Sequence, residues 1–297
     1  MVEASIPVDL RNPGQVFACM GLVEAADVLL GGAEGIFDWT DPSVVRFHAR
    51  ARGEVSPIER TLRFLDEASA VAVAPEGSAS IPGWVDSWGP RPLTAPRDRG
   101  YPFPDPTSPA TLVCVLHDGT NSIEIDHWGD ATERDNVKFW AGAGGYPGSA
   151  LTRDALRLVQ GNAVTHLADP FAFSAPQSSS FRLDWRRDYI PIDLGFSLNK
   201  HGDVHPVGFP IVELLAAIGL THARPRRPER RDKLVYEYAV AGRAEVGLTW
   251  LPPILLRAVL GAAETPFPTR RFRMLLDWPG KKDQARAITT VTEETGT

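Results

Sequence analysis

Nine prolines fall between residues 75 and 109, and this density constrains the fold more than any other feature of the chain. A proline has no amide N–H and fixes its own φ, so a segment this rich in proline interrupts helices and inner strands. The sequence therefore predicts no regular element inside the segment. Strand patterns resume directly after it, which favours a Pro-rich insertion in a single α+β domain of residues 1–297. A linker between two domains is the alternative.

Hydrophobic periodicity on both sides of the insertion predicts helices mixed with strands in hairpins. This mixture is typical of an α+β fold with largely antiparallel sheet and packed helices, of which RRM-like and RAMP-like architectures are examples. Helices are predicted from residue 13 to the glycines at 31–32, from 57 through 65, and at 151–160, 206–220 and 254–260. Strands are predicted at 5–10, 44–51, 70–74, 111–117, 122–128, 181–185, 236–240, 245–250 and 271–277, with a turn at 241–243 and a loose tail from residue 289.

Two helix starts carry local signals. Asn12 precedes Pro13, which suits an N-cap followed by proline in the first helical position. Ser56, Pro57 and Glu59 form a capping box, in which the hydroxyl and the carboxylate each satisfy an N–H group of the first turn. The first helix and the helix at 206–220 both follow a Pro/Gly turn. This similarity between the two helix starts is consistent with chance or with an internal duplication.

Charge is distributed unevenly along the chain, although the formal net charge is −6. Residues 1–180 contain 13 Lys and Arg against 23 Asp and Glu, whereas residues 181–286 contain 18 against 12. This asymmetry predicts a subunit with one basic face for a polyanion and other faces for protein. Two cysteines cannot form a disulfide framework, which predicts a reduced, cytoplasmic protein. No secretory signal or membrane-spanning segment is expected, and no membrane partner.

The densest cationic segment lies between residues 224 and 233, where two prolines favour an extended backbone. Extended guanidinium groups can bind successive phosphates, and each neutralised phosphate releases a counterion. A solvated surface loop is the alternative. The predicted nucleic-acid contacts in this segment are Arg224, Arg226, Arg227, Arg230, Arg231 and Lys233.

Three further sites extend the basic side. Arg186 and Arg187 follow Trp185, and this order suits stacking on bases or ribose, although the neighbouring aspartates favour internal ion pairs. Lys200 stands in a predicted turn and is a candidate phosphate contact. Arg271 and Arg273 alternate on one strand, so both point to the same face.

No convincing catalytic constellation occurs, so no enzyme activity and no cofactor are expected. Both cysteines lie in predicted core positions, and the glycine-rich stretch 142–148 lacks the spacing of a phosphate-binding loop. The alternative is a metal-dependent nuclease or hydrolase that uses one hairpin. Its candidate ligands are His117, Asp118, Asp126 and His127, with Asp130 beyond. Alternation along each strand opposes this reading, because adjacent residues point to opposite faces.

Four ordered blocks of the chain resemble proteins encoded in subtype I-U (I-G) CRISPR loci. Residues 12–22 (NPGQVFACMGL) are similar to the opening of those proteins, and residues 138–142 (KFWAG) to a short tryptophan-containing stretch. Residues 184–199 resemble a stretch that ends in GFSxN, and residues 213–225 resemble one that reads ELLAAIGLxxxRP. The blocks extend over nearly the whole chain in the same order. At residues 143–145 the chain departs from the pattern.

The resemblance implies a subunit of the type I surveillance complex, Cascade, in the position of its large subunit. In such complexes the large subunit helps to recognise the motif that flanks the target DNA, while guide pairing reads the sequence. The implied partners are CRISPR RNA, target DNA, other Cascade subunits and a separate helicase-nuclease that cuts. We therefore expect a non-catalytic, nucleic-acid-binding subunit of an antiviral ribonucleoprotein. A purely structural spacer is a further alternative.

Overall fold

The computed structural model describes residues 1–75, 91–93, 113–128, 148–177, 179–187, 206–243, 249–278 and 286–294. Helices and mixed sheets with antiparallel hairpins confirm the α+β class. The five α-helices of the described residues are α1 (Pro13–Leu30), α2 (Pro57–Glu67), α3 (Gly148–Val159), α4 (Pro210–His222) and α5 (Pro253–Leu260).

Twelve strands occur in the same residues, and nine of them are longer than three residues. They are β1 (Val2–Pro7), β2 (Glu34–Asp38), β3 (Arg46–Ala51), β4 (Ser69–Pro75), β5 (Arg91–Leu93), β6 (Val113–His117), β7 (Ser122–Ile125), β8 (Ala175–Pro176), β9 (Val207–Gly208), β10 (Val235–Arg243), β11 (Thr269–Asp277) and β12 (Ala287–Glu294).

The largest sheet joins the two ends of the described chain. Its strand order is β1-β3-β2-β10-β11-β12, and every pairing is antiparallel except that of β2 with β10. Because β1 and β2 both run antiparallel to β3, the unit β1–α1–β2 is a split β-α-β with β3 between its strands. A second sheet has the order β5-β4-β6-β7, and β8 pairs with β9.

Helices α1 and α4 cross in very close contact at two glycines. A Cβ atom on Gly21 would lie 1.8 Å from the carbonyl oxygen of Leu215. A Cβ atom on Gly219 would lie 2.2 Å from the carbonyl oxygen of Phe17. Only hydrogen fits at either position, so these residues set the distance between the two helices. The two helices are those that share the Pro/Gly start in the sequence.

One face of the large sheet packs against α1. Tyr238 on β10 lies edge-on to Phe17 at 5.9 Å between ring centroids and stacks on Phe272 of β11 at 5.1 Å. Its hydroxyl donates to the carbonyl of Leu10 at 2.7 Å. The buried apolar side chains of both larger sheets and of all five helices form one continuous core. The opposite face of the large sheet therefore holds the alternate, mostly polar side chains.

Helix α1 is long and apolar enough to cross a membrane by length and composition. Most of its residues are buried, however, from Pro13 to Ala26. It is the central helix of the core, and its apolar character reflects contacts on nearly all sides.

Several predicted elements are confirmed. Helix α1 begins at Pro13, and α2 begins at Pro57 with the hydroxyl of Ser56 accepting the Glu59 N–H at 3.1 Å. The hairpin predicted around residue 119 is β6–β7, which pair antiparallel. Asn12 stands at the N-cap of α1, but its side chain caps nothing there. It bonds to Asp184 instead.

Other predictions are wrong. The predicted turn at 241–243 lies inside β10, which pairs with β11 and β2. Residues 245–248 of the strand predicted at 245–250 lie outside the described residues. Residues 289–294 of the predicted loose tail belong to β12, and residues 181–185 form no strand. Residues 295–297 lie outside the described residues. Strand β2 was not predicted from the sequence. For β2, β10 and β12 a long-range strand partner, which local pattern does not reveal, decides the structure.

The proline-rich insertion contains one element that the sequence argument excluded. Strand β5 includes Pro92 and pairs parallel to β4. It lies at the edge of its sheet, where a residue without an N–H is tolerated. Residues 76–90 and 94–109 of the insertion lie outside the described residues.

We predict that Gly21→Ala destabilises the protein by about 1–3 kcal/mol, because the new methyl group would overlap backbone that cannot rotate away. Urea unfolding measures the loss. Gly261→Ala is the matched control, because Gly261 has φ −70° and its added Cβ would have no neighbour closer than 3.6 Å. A Gly21→Ala protein as stable as the control would contradict the close helix crossing.

Candidate nucleic-acid interface

The arginine-rich segment folds back on the start of β10. The backbone N–H and carbonyl groups of Arg226 pair with those of Glu237, at 2.7 Å in both directions. Between them the chain turns where the N–H of Asp232 donates to the carbonyl of Glu229 at 3.0 Å. We call residues 226–237 the cationic hairpin. It extends the large sheet at the end where β10 begins and β11 ends.

Three arginines of the cationic hairpin are exposed: Arg226, Arg230 and Arg231. Arg226 is bound to a carboxylate of β10. Among the described residues, neither Arg230 nor Arg231 has an ion pair or a side-chain hydrogen bond. Both stand in the turn region of the hairpin. Their guanidinium groups are therefore accessible to an external polyanion.

The remaining cations of the segment are half-buried. The guanidinium of Arg224 donates to the carbonyl of His127, which ties the segment to the residues after β7. Arg227 and Lys233 also have interaction partners within the protein. These contacts fix the base of the hairpin and leave less of these side chains for an external ligand.

A single carboxylate links the cationic hairpin to β11. Glu237 is nearly buried, and its Oε2 accepts from Arg226 at 2.5 Å while its Oε1 accepts from Arg273 at 3.3 Å. The hydrogen bond and the negative charge of Glu237 raise the pKa of Arg226 above its usual value. Two cations thus share one buried anion, and Glu294 of β12 is a second carboxylate near Arg273.

Strand β11 places Arg271 and Arg273 on the same face, as the alternation predicts. Arg271 is opposite Ala239 on β10, and Arg273 is opposite Glu237. Arg273 also lies 3.7 Å from Glu294 of β12. Among the described residues, Arg271 has no ion pair. The face of β11 therefore continues the cationic surface of the hairpin.

The same sheet face continues toward β3 as paired charges. Direct cross-strand partners point to one face, and Asp38 is the partner of both Arg243 on β10 and Arg46 on β3. Asp38 binds Arg243 at 2.5 Å, and Glu34 binds Arg50 at 2.5 Å. Carboxylates therefore neutralise most of these arginines. The surplus positive charge lies at the hairpin and β11.

Arg186 is held by its own segment. Its Nε and Nη2 donate to the carboxylate of Asp184 at 3.0 and 2.6 Å, and Nη2 also donates to the carbonyl of Phe171. The guanidinium lies over the ring of Phe209, 3.6 Å from its centroid. Arg186 is about one-third exposed. The internal ion pair, which the sequence offered as an alternative, forms.

Arg187 was predicted to contact nucleic acid at the surface, but the structure places it in the interior. Its residue is only 6% exposed, and its guanidinium donates to the hydroxyl of Ser180 and to the carbonyl of Gln177. A side chain in this position cannot reach a phosphate without local unfolding. Lys200 lies outside the described residues.

The buried polar residues around Arg187 were not predicted from the sequence. Asn12, Asp184 and Glu213 are buried together although they are far apart in the chain. One signal was available: Glu213 is the only charged residue in the apolar segment 206–220. A carboxylate in such a segment must be paired, protonated or bonded to N–H groups.

The hairpin proposed for a metal does not assemble ligands in the described residues. Asp118 closes the β6–β7 turn by accepting N–H bonds from Asn121 and Thr120 and a bond from Arg60. These bonds hold the pKa of Asp118 well below its usual value, against the opposing effect of burial. His127 is fully buried beside the rings of Trp128 and Phe181.

No group of three His, Cys, Asp or Glu side chains suited to a metal is found in the described part of the chain. His117 and Asp126 lie in that part, whereas Asp130 lies outside it. The N–H of Asp126 donates to the hydroxyl of Thr221, which fixes the end of β7 on α4.

No protein-family model, curated protein or solved structure matches this chain.

We predict that Arg187→Ala lowers the free energy of unfolding by about 3 kcal/mol, because it removes a buried guanidinium and leaves the Ser180 hydroxyl and the Gln177 carbonyl without this donor. Arg230→Ala is the matched variant: it removes the same charge from an exposed position and changes stability by less than about 0.5 kcal/mol. Chemical denaturation of both proteins measures the difference. Equal stabilities would contradict the structural role of Arg187.

Proposed function

We propose that this chain is a non-catalytic subunit of a type I CRISPR effector complex, Cascade, and that it contacts nucleic acid through the cationic hairpin and the adjacent face of β11. The observation that carries the proposal is the accessibility of Arg230 and Arg231, which no carboxylate among the described residues neutralises. The ordered resemblance to proteins of subtype I-U (I-G) loci is the reason for proposing this complex. Within that complex, the proposed position of this chain is that of the large subunit.

Three of the four resembling blocks contact one another in the fold. Gly14 of the first block approaches the carbonyl of Leu183, next to Asp184 of the third, so closely that a Cβ would lie 2.6 Å away. Glu213, which begins the fourth block, accepts the N–H of Asp184. Residues from three blocks thus contact one another. Three of the four blocks therefore belong to one folding unit of the described residues.

The chemistry of the proposed contact is charge neutralisation. The turn of the hairpin presents adjacent guanidinium groups, each able to donate two hydrogen bonds to one phosphate. Arg271 and Arg273 extend this surface along β11. Such contacts read backbone and shape rather than sequence, which suits a particle in which guide pairing supplies specificity.

The proposed partners follow from this role. CRISPR RNA and target DNA are the polyanions, and the acidic first half of the chain meets other Cascade subunits. A helicase-nuclease recruited to the particle cuts the target, so this chain requires no bond-breaking residues and no cofactor. The particle is cytoplasmic and makes no use of a membrane.

We predict that the double variant Arg230→Ala, Arg231→Ala weakens binding of the assembled complex to target duplex. Each phosphate contact contributes about 0.9 to the slope of log K against log salt, so losing two contacts lowers the slope by about 2. Fluorescence anisotropy across a salt series measures both the affinity and the slope.

The control is Arg63→Ala, Arg157→Ala, which removes the same charge from exposed arginines of α2 and α3. Its affinity and slope should match those of the wild type. If the hairpin variant also matches the wild type, the cationic hairpin is not the nucleic-acid interface. Crosslinking that finds protein neighbours but no RNA or DNA at the hairpin would favour a structural spacer.

A further inference from the structure

A buried polar cluster lies where the N-terminal ends of α1 and α4 meet the segment 179–187. Its oxygen-bearing members are Asn12, Asp184 and Glu213, all essentially inaccessible to solvent. Asn12 donates from Nδ2 to Oδ1 of Asp184 at 2.9 Å. Glu213, in the first turn of α4, accepts the N–H groups of Leu183 and Asp184 through Oε1 at 3.0 and 3.1 Å. The cluster therefore fastens the segment to both helices.

Two oxygens of this cluster lack donors. Oε2 of Glu213 and Oδ1 of Asn12 are buried, and neither receives a hydrogen bond. A buried carboxylate oxygen with no donor is costly when the group is charged, because it has lost its water. A neutral carboxylic acid lowers that cost, because burial removes less hydration free energy from the neutral acid than from the charged carboxylate.

The charged groups around Glu213 do not remove this cost. Asp184 adds a like charge, and Arg187 is the opposing cation. Arg186 is already bound to Asp184. The net effect of burial, of Asp184 and of these weaker opposing contacts raises the pKa of Glu213 to about 7.

The other elements packed on α4 contribute no closer counter-charge in the described residues. The neutral amide of Asn12 stands at the start of helix α1, whose two acidic residues lie further along: Glu24 is bound to Arg257 of α5, and Asp27 is exposed. The short turn Pro170–Ala172 supplies a carbonyl to Arg186. The charged side chains of α3 and β7 are partly or fully exposed: Arg153, Asp154, Arg157 and Glu124.

We infer that Glu213 is a protonated carboxylic acid in the folded protein at mildly acidic pH and acts as a proton-dependent latch that holds segment 179–187 against the ends of α1 and α4. Loss of the proton leaves two buried carboxylates side by side and weakens the attachment. The segment carries Arg186, whose position depends on Asp184. The latch is independent of the proposed function.

The direction of the pH effect follows from linkage. When the segment opens, Glu213 reaches water and regains its ordinary pKa of 4.5, whereas the closed state holds it at about 7. Between these values the closed state binds a proton that the open state has lost, so rising pH favours opening. The opening constant rises on the order of tenfold per pH unit in this window and is constant above it.

The experiment compares wild type with Glu213→Gln. Glutamine keeps the oxygen that accepts both N–H groups and carries an NH₂ where the acid carries its O–H, so it imitates the closed latch at every pH. Hydrogen exchange of residues 179–187, followed by mass spectrometry from pH 5.5 to 8.5, reports opening. Comparing the two proteins at each pH cancels the intrinsic pH dependence of exchange.

We expect the wild type to open progressively more than Glu213→Gln up to about pH 7 and the ratio to level off above that. A ratio that does not change with pH overturns the latch, whether both proteins open or neither does. Infrared difference spectra give a second readout. A protonated-carboxyl band of the wild type at pH 5.5 must be missing from Glu213→Gln, and its presence in both proteins or in neither overturns the assignment.

Discussion

The close approach of α1 and α4 is the contact on which the rest of the structure depends. Gly21 and Gly219 let the two backbones touch, and this brings the first turns of both helices to the same segment of chain. Asn12 and Glu213 can bind Asp184 together only while the helices keep this distance. The face of the sheet that carries Tyr238 then packs on α1. A wider crossing would open the core and the buried polar cluster together.

Arginine has two different roles in this chain, and neighbouring carboxylates decide which role each residue has. Arg187 lies inside and stabilises buried groups, whereas Arg243 and Arg50 are neutralised on the sheet surface. Arg230 and Arg231 have no such partner in the described residues. Counting basic residues along the sequence cannot separate these roles, because the partner acid is 16 residues away for Arg50 and 205 residues away for Arg243.

Local chemistry made part of the fold predictable. The helix starts at Pro13 and Pro57 follow from proline in the first turn, and alternation correctly placed Arg271 and Arg273 on one face. The α+β class followed from the mixture of periods. The uninterrupted course of β10 did not, because residues 241–243 look like a turn until their pairing with β2 and β11 is known.

The candidate site was predictable to a similar extent. The cationic segment is visible in the sequence, but its turn at residues 229–232 is not, because the two prolines favoured an extended backbone. The burial of Arg187 depends on tertiary contacts with Ser180 and Gln177, which no spacing reveals. The shared carboxylate Glu237 likewise becomes a partner of Arg226 only through the fold. Sequence therefore identified the chemistry of the surface but not which members of the set remain available.

The pairing of β2 with β10 has a consequence for how the molecule assembles. Phe37 lies beside Gly242 in the parallel part of the sheet, so the edge of β2 stays unpaired until most of the chain has left the ribosome. Contacts between such distant residues slow folding, because loop closure precedes any gain from pairing. During synthesis the nascent β1–β3 unit therefore exposes a strand edge prone to self-association, and chaperone supply should improve the yield of soluble protein.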